Sequence, residues 1–143
     1  MSVQQISVFL ENKPGAFSAV AKVLSENGVN LRAMSVADTA EFGILRIIVD
    51  NVEKTKEVLK DGGFIYKETP VIAVEVEDRP GSLVRILDTL EAKSVSLEYM
   101  YAFITRKTES AYLVFRVDDT ERTAAILSEA GIRVADSEDL SSL

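Results

Sequence analysis

The order of apolar and polar positions along the chain occurs twice. In the first copy, a strand-like apolar run at residues 6–10 precedes four apolar residues with helical spacing, Phe17, Val20, Ala21 and Leu24. In the second copy, a similar run at residues 71–76 precedes Leu83, Ile86, Leu87 and Leu90, which lie 66 residues further along. Spacing of i, i+3, i+4 and i+7 is typical of an amphipathic helix. Each copy is therefore predicted to begin with a strand and a helix that packs on it.

The remainder of each copy predicts two further strands, a second helix and a final strand. These strands are predicted at residues 29–36, 44–49 and 64–66 of the first copy, and at 95–103, 111–117 and 132–134 of the second. Polar loops lie at residues 38–43 and 105–110. Asn51 and Asp119 are typical N-caps for the second helix. Each copy is therefore expected to fold as strand–helix–strand–strand–helix–strand.

A turn that contains proline and glycine follows the first strand of each copy. The chain reads Glu-Asn-Lys-Pro-Gly-Ala-Phe from Glu11 and Glu-Asp-Arg-Pro-Gly-Ser-Leu from Glu77. Proline has a φ suited to the first helical position, where its missing N–H is not needed. Glycine lets a ligand approach the backbone closely. We therefore predict a helix start at each turn and a small ligand beside it.

Units with this order of elements form ferredoxin-like domains, in which both helices cover one face of an antiparallel sheet. We predict the α+β class, with one domain at residues 1–68 and a second at residues 69–143. Because the link at residues 67–70 is short, the two ferredoxin-like βαββαβ units are expected to pack side by side with their helices on one face. The polar tail at residues 136–143 is expected to fray. Open strand edges favour self-association, so a homodimer is expected.

Composition narrows the chemistry that is open to the chain. Its 143 residues include no cysteine and no histidine, which excludes disulfides, thiolate nucleophiles, imidazole bases and Cys/His zinc sites. No catalytic residue, metal site or cofactor is predicted. The formal net charge of −7 argues against nucleic acid as a partner. No apolar run approaches the roughly 20 residues of a membrane span. The N-terminus does not resemble a signal peptide, and a cytoplasmic location is expected.

The repeat as a whole resembles the ACT domain. The likeness rests on the Asn-Lys-Pro-Gly turn from Asn12, the Asp-Arg-Pro-Gly turn from Asp78, the Gly-Val-Asn-Leu segment from Gly28 and the βαββαβ order. It covers about residues 5–135. The resemblance implies a stand-alone regulatory protein with no catalytic domain. Such a protein binds an amino acid or similar small metabolite where two ACT domains pack, and so modulates an enzyme or transporter.

The resemblance places the ligand beside the strand-to-helix turn and the start of the neighbouring strand. The predicted ligand-binding residues are Asn12, Lys13, Pro14, Gly15, Ala16, Asn30, Leu31, Asp78, Arg79, Pro80, Gly81, Ser82, Ser96 and Leu97. Helix N-terminal N–H groups suit a carboxylate, and the side chains of Asn12 and Asp78 can accept hydrogen bonds from an amino group. Those two side chains are equally suited to bonds within their own turns. Since Asp78 and Ser96 replace asparagines, the two sites are not equivalent, and the first copy is expected to bind the amino acid.

Two classes of function are consistent with these features. The first is a regulatory module that senses an amino acid and acts on a metabolic enzyme or transporter. The second is a ligand-independent subunit that docks on an enzyme through its exposed sheet face or edges. An enzyme is disfavoured, because without histidine or cysteine the chain would need a cleft carboxylate or lysine with a displaced pKa.

Overall fold

The computed structural model describes residues 2–39, 41–103 and 110–141. The backbone divides into two compact units, each of which is described by itself. The N-terminal unit comprises Gln4–Thr69, and the C-terminal unit comprises Met1–Val3 with Pro70–Leu143.

The N-terminal unit follows the predicted order of elements. These are β1 (Val3–Glu11), α1 (Ala16–Glu26), β2 (Leu31–Asp38), β3 (Phe42–Val49), α2 (Val52–Asp61) and the first part of β4 (Ile65–Glu77). Strand β3 pairs antiparallel with both β1 and β2, and an irregularity in register separates Leu31 from Ala33. The β-branched and aromatic residues of these strands are the types that favour extended backbone.

The C-terminal unit repeats this order and adds one short helix. After the second part of β4 come α3 (Ser82–Ala92), β5 (Tyr99–Ala102), β6 (Ser110–Arg116), α4 (Thr120–Glu129), β7 (Arg133–Ala135) and α5 (Ser137–Ser141). Antiparallel pairings of β7 with β4, of β4 with β6 and of β6 with β5 build its sheet. The structure therefore confirms the α+β class and the two βαββαβ units.

Each unit has its own hydrophobic core between sheet and helices. The core of the N-terminal unit contains Ile6, Val8, Leu10, Val20, Leu24, Val29, Leu45, Ile47, Val49 and Leu59. The core of the C-terminal unit contains Ile72, Val74, Ile86, Leu90, Phe115, Val117, Ala124, Leu127, Ile132 and Val134.

The buried faces of α1 and α3 are narrower in the structure than the sequence predicted. Their buried residues are only Val20 and Leu24 in α1 and Ile86 and Leu90 in α3. Ala21, Leu83 and Leu87 are exposed, although the same spacing predicted that they face inward. A helix that rests on a flat sheet contacts it along a narrow strip, so apolar residues one position to the side remain outside that strip.

Several predicted boundaries also differ from the structure, and the strand predicted at residues 95–103 is confined to Tyr99–Ala102. The predicted link at residues 67–70 belongs to β4, a continuous strand of 13 residues. The described part of the tail is not frayed, because residues 137–141 form α5 and Leu140 is only 3% exposed, while residues 142–143 lie outside the described ranges. The first polar loop is shorter than residues 38–43, since β2 includes Asp38 and β3 begins at Phe42. Of the second loop, residues 105–109 lie outside the described part of the chain.

In the described ranges, no helix is long and apolar enough to cross a membrane.

Candidate functional site

The two turns that follow β1 and β4 have the same backbone geometry. The N–H of Lys13 donates to the carbonyl of Glu11 at 2.9 Å, and the N–H of Arg79 donates to that of Glu77 at the same distance. The last residue of each turn is a glycine in a left-handed conformation, with φ of +87° at Gly15 and +93° at Gly81. A β-carbon at either glycine would meet no heavy atom of the described chain within 4 Å. The surface beside both glycines is therefore open.

Each of the two helices begins two residues after the proline, although the sequence predicted that the proline occupies the first helical position. Helix α1 starts at Ala16 and α3 at Ser82, with Gly15 and Gly81 as their N-caps. The proline of each turn thus precedes the cap, and the prediction that it occupies the first helical position is wrong. The glycine determines the direction of the chain at this point, because its positive φ redirects the backbone between strand and helix.

The helices at these turns start differently from the other two long helices. The side chains of Asn51 and Asp119 cap α2 and α4, each accepting a hydrogen bond of 3.0 Å from a backbone N–H, which confirms both predicted N-caps. In α1 and α3, no described side chain caps the N-terminus and the first turn contains no acidic residue. The N–H groups of these first turns, with the positive end of the helix dipole, can bind an anion.

In the N-terminal unit, predicted site residues make polar contacts within the protein. The amide of Asn12 donates to the carboxylate of Asp38 at 2.8 Å, and Lys13 pairs with Glu11 at 3.1 Å. The backbone N–H of Asn30 donates to the carboxylate of Asp50 at 3.1 Å. Asn12 thus joins its turn to the end of β2, a contact that differs from both alternatives of the sequence, a ligand contact and a hydrogen bond within its own turn.

In the C-terminal unit, a cavity of about 510 Å³ opens beside the second turn. It is lined by Glu75, Val76, Glu77, Arg79, Pro80, Gly81, Ser82, Arg85, Ile86, Ser110, Gly131, Ile132 and Arg133. Cavities of this size commonly hold small molecules. Four predicted site residues, from Arg79 to Ser82, line it, whereas Asp78, Ser96 and Leu97 do not.

Charged side chains surround the cavity, and most of them are paired. Arg79 contacts Glu77 at 2.7 Å, and Arg133 contacts Glu75 at 3.1 Å and Asp139 at 3.3 Å. Arg85 reaches across to α4, where it donates to the carbonyl of Ala130 at 2.6 Å.

Sequence reasoning missed Glu75, Arg85 and Arg133, which lie on β4, α3 and β7. The repeat contained a signal for them. At the matching places in the first copy the chain has Phe9, Ala19 and Ile65. Three apolar residues in one copy thus correspond to three charged residues in the other, and a comparison of the copies position by position would have singled them out.

Comparison with known proteins gives a consistent result. A family model described as an ACT domain pair matches residues 1–143. The crystal structure of protein BT0572 from Bacteroides thetaiotaomicron superposes with a TM-score of 0.92 and 36% identity, covering 100% of this chain and 98% of that one. The ligand-free regulatory subunit of aspartate kinase from Thermus thermophilus superposes with a TM-score of 0.65 over 89% of this chain and 91% of that one. Its identity is 14%, so it shows the fold alone.

Among curated proteins, the chain is similar to the acetolactate synthase small subunit of Buchnera aphidicola subsp. Baizongia pistaciae (strain Bp). The two are 32% identical over 74 residues, which are 51% of this chain and 46% of that protein. The match therefore spans about half the length of this relative.

Proposed function

Because the chain belongs to the ACT domain pair family, we propose that it is a regulatory protein that binds an amino acid, or a similar small metabolite, and modulates a metabolic enzyme or transporter. One curated relative, the small subunit of acetolactate synthase, supports a regulatory role in amino acid metabolism. The absence of histidine and cysteine supports a protein without catalytic activity of its own.

The observation that carries this proposal is the cavity beside Gly81. It has the size of a small-molecule site and the open N-terminus of α3 at its wall. Arginine side chains in its lining can bind the carboxylate of an amino acid. The amino acid is therefore proposed to bind in the C-terminal unit, whereas the sequence favoured the first copy.

A thermal-shift screen of the standard amino acids tests the proposal. A ligand that binds only the folded chain raises the melting temperature, by an amount that grows with ligand concentration above Kd. We expect at least one amino acid to raise it at millimolar concentration, and isothermal titration calorimetry to give a stoichiometry of one per chain. If no amino acid changes the melting temperature, the proposal fails.

The alternative is a ligand-independent subunit that docks on an enzyme, and the outer face of α3 favours it. Leu83, Val84 and Leu87 are 43%, 56% and 40% exposed on this helix. Affinity capture from the native host, with and without added amino acids, distinguishes the two functions. Capture of one enzyme that Leu87→Glu abolishes and amino acids do not alter would favour the alternative.

We also propose that the chain works as a homodimer in the cytoplasm. Strand β2 pairs with β3 alone among the described strands, and Met34 and Val36 on it are 45% and 52% exposed. A strand with one unpaired edge and exposed apolar side chains favours association with a second copy of the chain. Light scattering on the purified chain measures its mass directly, and a mass of one chain at micromolar concentration would rule out the homodimer.

A further inference from the structure

The lining of the cavity in the C-terminal unit holds more positive than negative groups, and Asp139, outside the lining, also contacts one of its arginines, Arg133, at 3.3 Å. Three guanidinium groups line it, from Arg79, Arg85 and Arg133, against two carboxylates, from Glu75 and Glu77. Both carboxylates already contact an arginine, Glu75 at 3.1 Å and Glu77 at 2.7 Å. The lining therefore satisfies its own negative charges and can satisfy further negative charge from a ligand.

Arg85 has no carboxylate partner within 4 Å in the part of the chain that the structure describes. One N–H of its Nη2 donates to the carbonyl of Ala130, and a guanidinium has five N–H donors. This hydrogen bond holds the Arg85 side chain at the C-terminal end of α4, where Ala130 is the C-cap. The side chain therefore loses little conformational freedom when an anion binds. A planar guanidinium held in this way suits a carboxylate, which it can bind through two parallel hydrogen bonds.

Arg79 offers a second set of donors. Its contact with Glu77 is made through Nε, and the pair lies at the surface with both side chains 69% exposed. The edge of the guanidinium formed by its two Nη groups lies on a different side from the Nε–H and remains for a ligand. Arg133 differs, because Glu75 binds its Nη1 and Asp139 binds its Nη2. Two of the three arginines can therefore each receive one carboxylate.

The first copy of the repeat serves as an internal comparison. Lys13 matches Arg79, but Ala19 and Ile65 stand at the places of Arg85 and Arg133, and Phe9 stands at that of Glu75. Three positions that are charged in the C-terminal copy are thus apolar in the first copy, although the two turns have the same geometry. The arginines of the C-terminal unit are not required to form the turn.

We propose that the cavity selects a small dicarboxylate, which among the amino acids means an acidic one, and that Arg85 determines this specificity. The inference rests on the proposed function. Arg85 binds one carboxylate and Arg79 the other. The cavity of about 510 Å³ has ample room for a molecule of this size. Neutral and basic amino acids leave the guanidinium of Arg85 without a counter-charge and bind more weakly.

The test compares matched ligands on the full-length chain by calorimetry and thermal shift, at constant ionic strength. The probes are L-glutamate and L-aspartate, their amides L-glutamine and L-asparagine, and succinate. We expect the acidic amino acids to bind and each amide to bind about tenfold or more weakly, since a hydrogen bond to a charged group is lost.

The variants separate recognition from folding. Arg85→Gln is expected to raise the Kd of L-glutamate about tenfold or more, and Arg85→Lys to recover part of the affinity because it keeps the charge. Arg122→Gln is the matched control. Arg122 also donates from a helix to a backbone carbonyl, that of Lys93 at 3.1 Å, but lies outside the cavity lining. It should leave the affinity unchanged.

Each outcome decides a different point. If a neutral amino acid binds and L-glutamate does not, the inference is wrong and the proposed function stands. If succinate binds and no amino acid does, the dicarboxylate inference stands and the amino acid function is wrong. If Arg85→Gln and Arg122→Gln weaken binding equally, Arg85 has no specific role. If no probe and no amino acid binds, both proposals fail.

Discussion

The aromatic ring of Phe17 lies directly over the backbone of Gly43. A β-carbon at residue 43 would be 2.7 Å from Cζ of this ring, which is closer than carbon atoms in proteins approach. Phe17 is in the first turn of α1 and Gly43 is in β3, so this contact brings the start of the helix down onto the sheet.

We expect Gly43→Ala to lower the free energy of unfolding by about 1–3 kcal/mol, the usual cost of excess volume in a packed core. Chemical denaturation measures it. Phe17→Leu should relieve the clash, so the double variant Phe17→Leu/Gly43→Ala should be more stable than the two separate losses predict. Strict additivity would show that ring and β-carbon do not meet.

Replacement of the left-handed glycine in each turn tests which of the two turns lies at the ligand site. Gly15→Ala and Gly81→Ala should each cost about 1–2 kcal/mol of stability, because a β-carbon is strained at positive φ. Both sites have equal space for it. Under the proposed function, only Gly81→Ala should also weaken ligand binding, since only Gly81 lines the cavity. Weaker binding in Gly15→Ala alone would move the site to the N-terminal unit.

The N-caps of α2 and α4 can be tested as a pair. Asn51→Ala and Asp119→Ala each remove the side-chain oxygen that accepts a backbone N–H at 3.0 Å, and each should cost about 1 kcal/mol. Asn51→Asp keeps an acceptor at the same place and should cost much less. Thermal unfolding of the three variants in parallel gives the comparison, and equal losses in Asn51→Asp and Asn51→Ala would refute the capping role.

Helix α5 should be released at low pH. The backbone N–H of Asp136 donates to the carboxylate of Asp139 at 3.0 Å, and this bond, aided by Arg133, lowers the pKa of Asp139 below its ordinary value of 3.8. A carboxyl whose pKa is lower in the folded state stabilises that state above the ordinary pKa, and the contribution disappears as the pH falls through the lowered value.

Amide exchange at Leu140, whose N–H donates to the carbonyl of Asp136 at 3.1 Å, monitors this release. We expect protection to be constant from neutral pH to about pH 4 and to fall below it. Asp139→Asn removes the charge, so it should reduce protection at neutral pH and abolish the pH dependence. An unchanged acid profile in this variant would assign the release to another group.

The local pattern of apolar and polar residues was sufficient to predict the order of strands and helices. Apolar runs in the strands, helical spacing at Val20 and Leu24, and capping residues at Asn51 and Asp119 act over a few residues, so they can be recognised without the rest of the chain. Comparison of the two copies predicted that the same Pro-Gly turn occurs at Gly15 and Gly81, although the role predicted for its proline was wrong.

Other features depended on contacts between distant segments. Whether Leu87 is buried is decided by how far α3 extends over its sheet, and helical spacing contains no such information. The cavity combines β4, α3 and β7, and the contact of Arg85 with Ala130 joins residues 45 positions apart. The sequence by itself determined the fold and the two turns, because these follow from short-range chemistry. Only the tertiary structure decided which turn lies beside a cavity and which arginine in its wall lacks a carboxylate, because those depend on where separate elements meet.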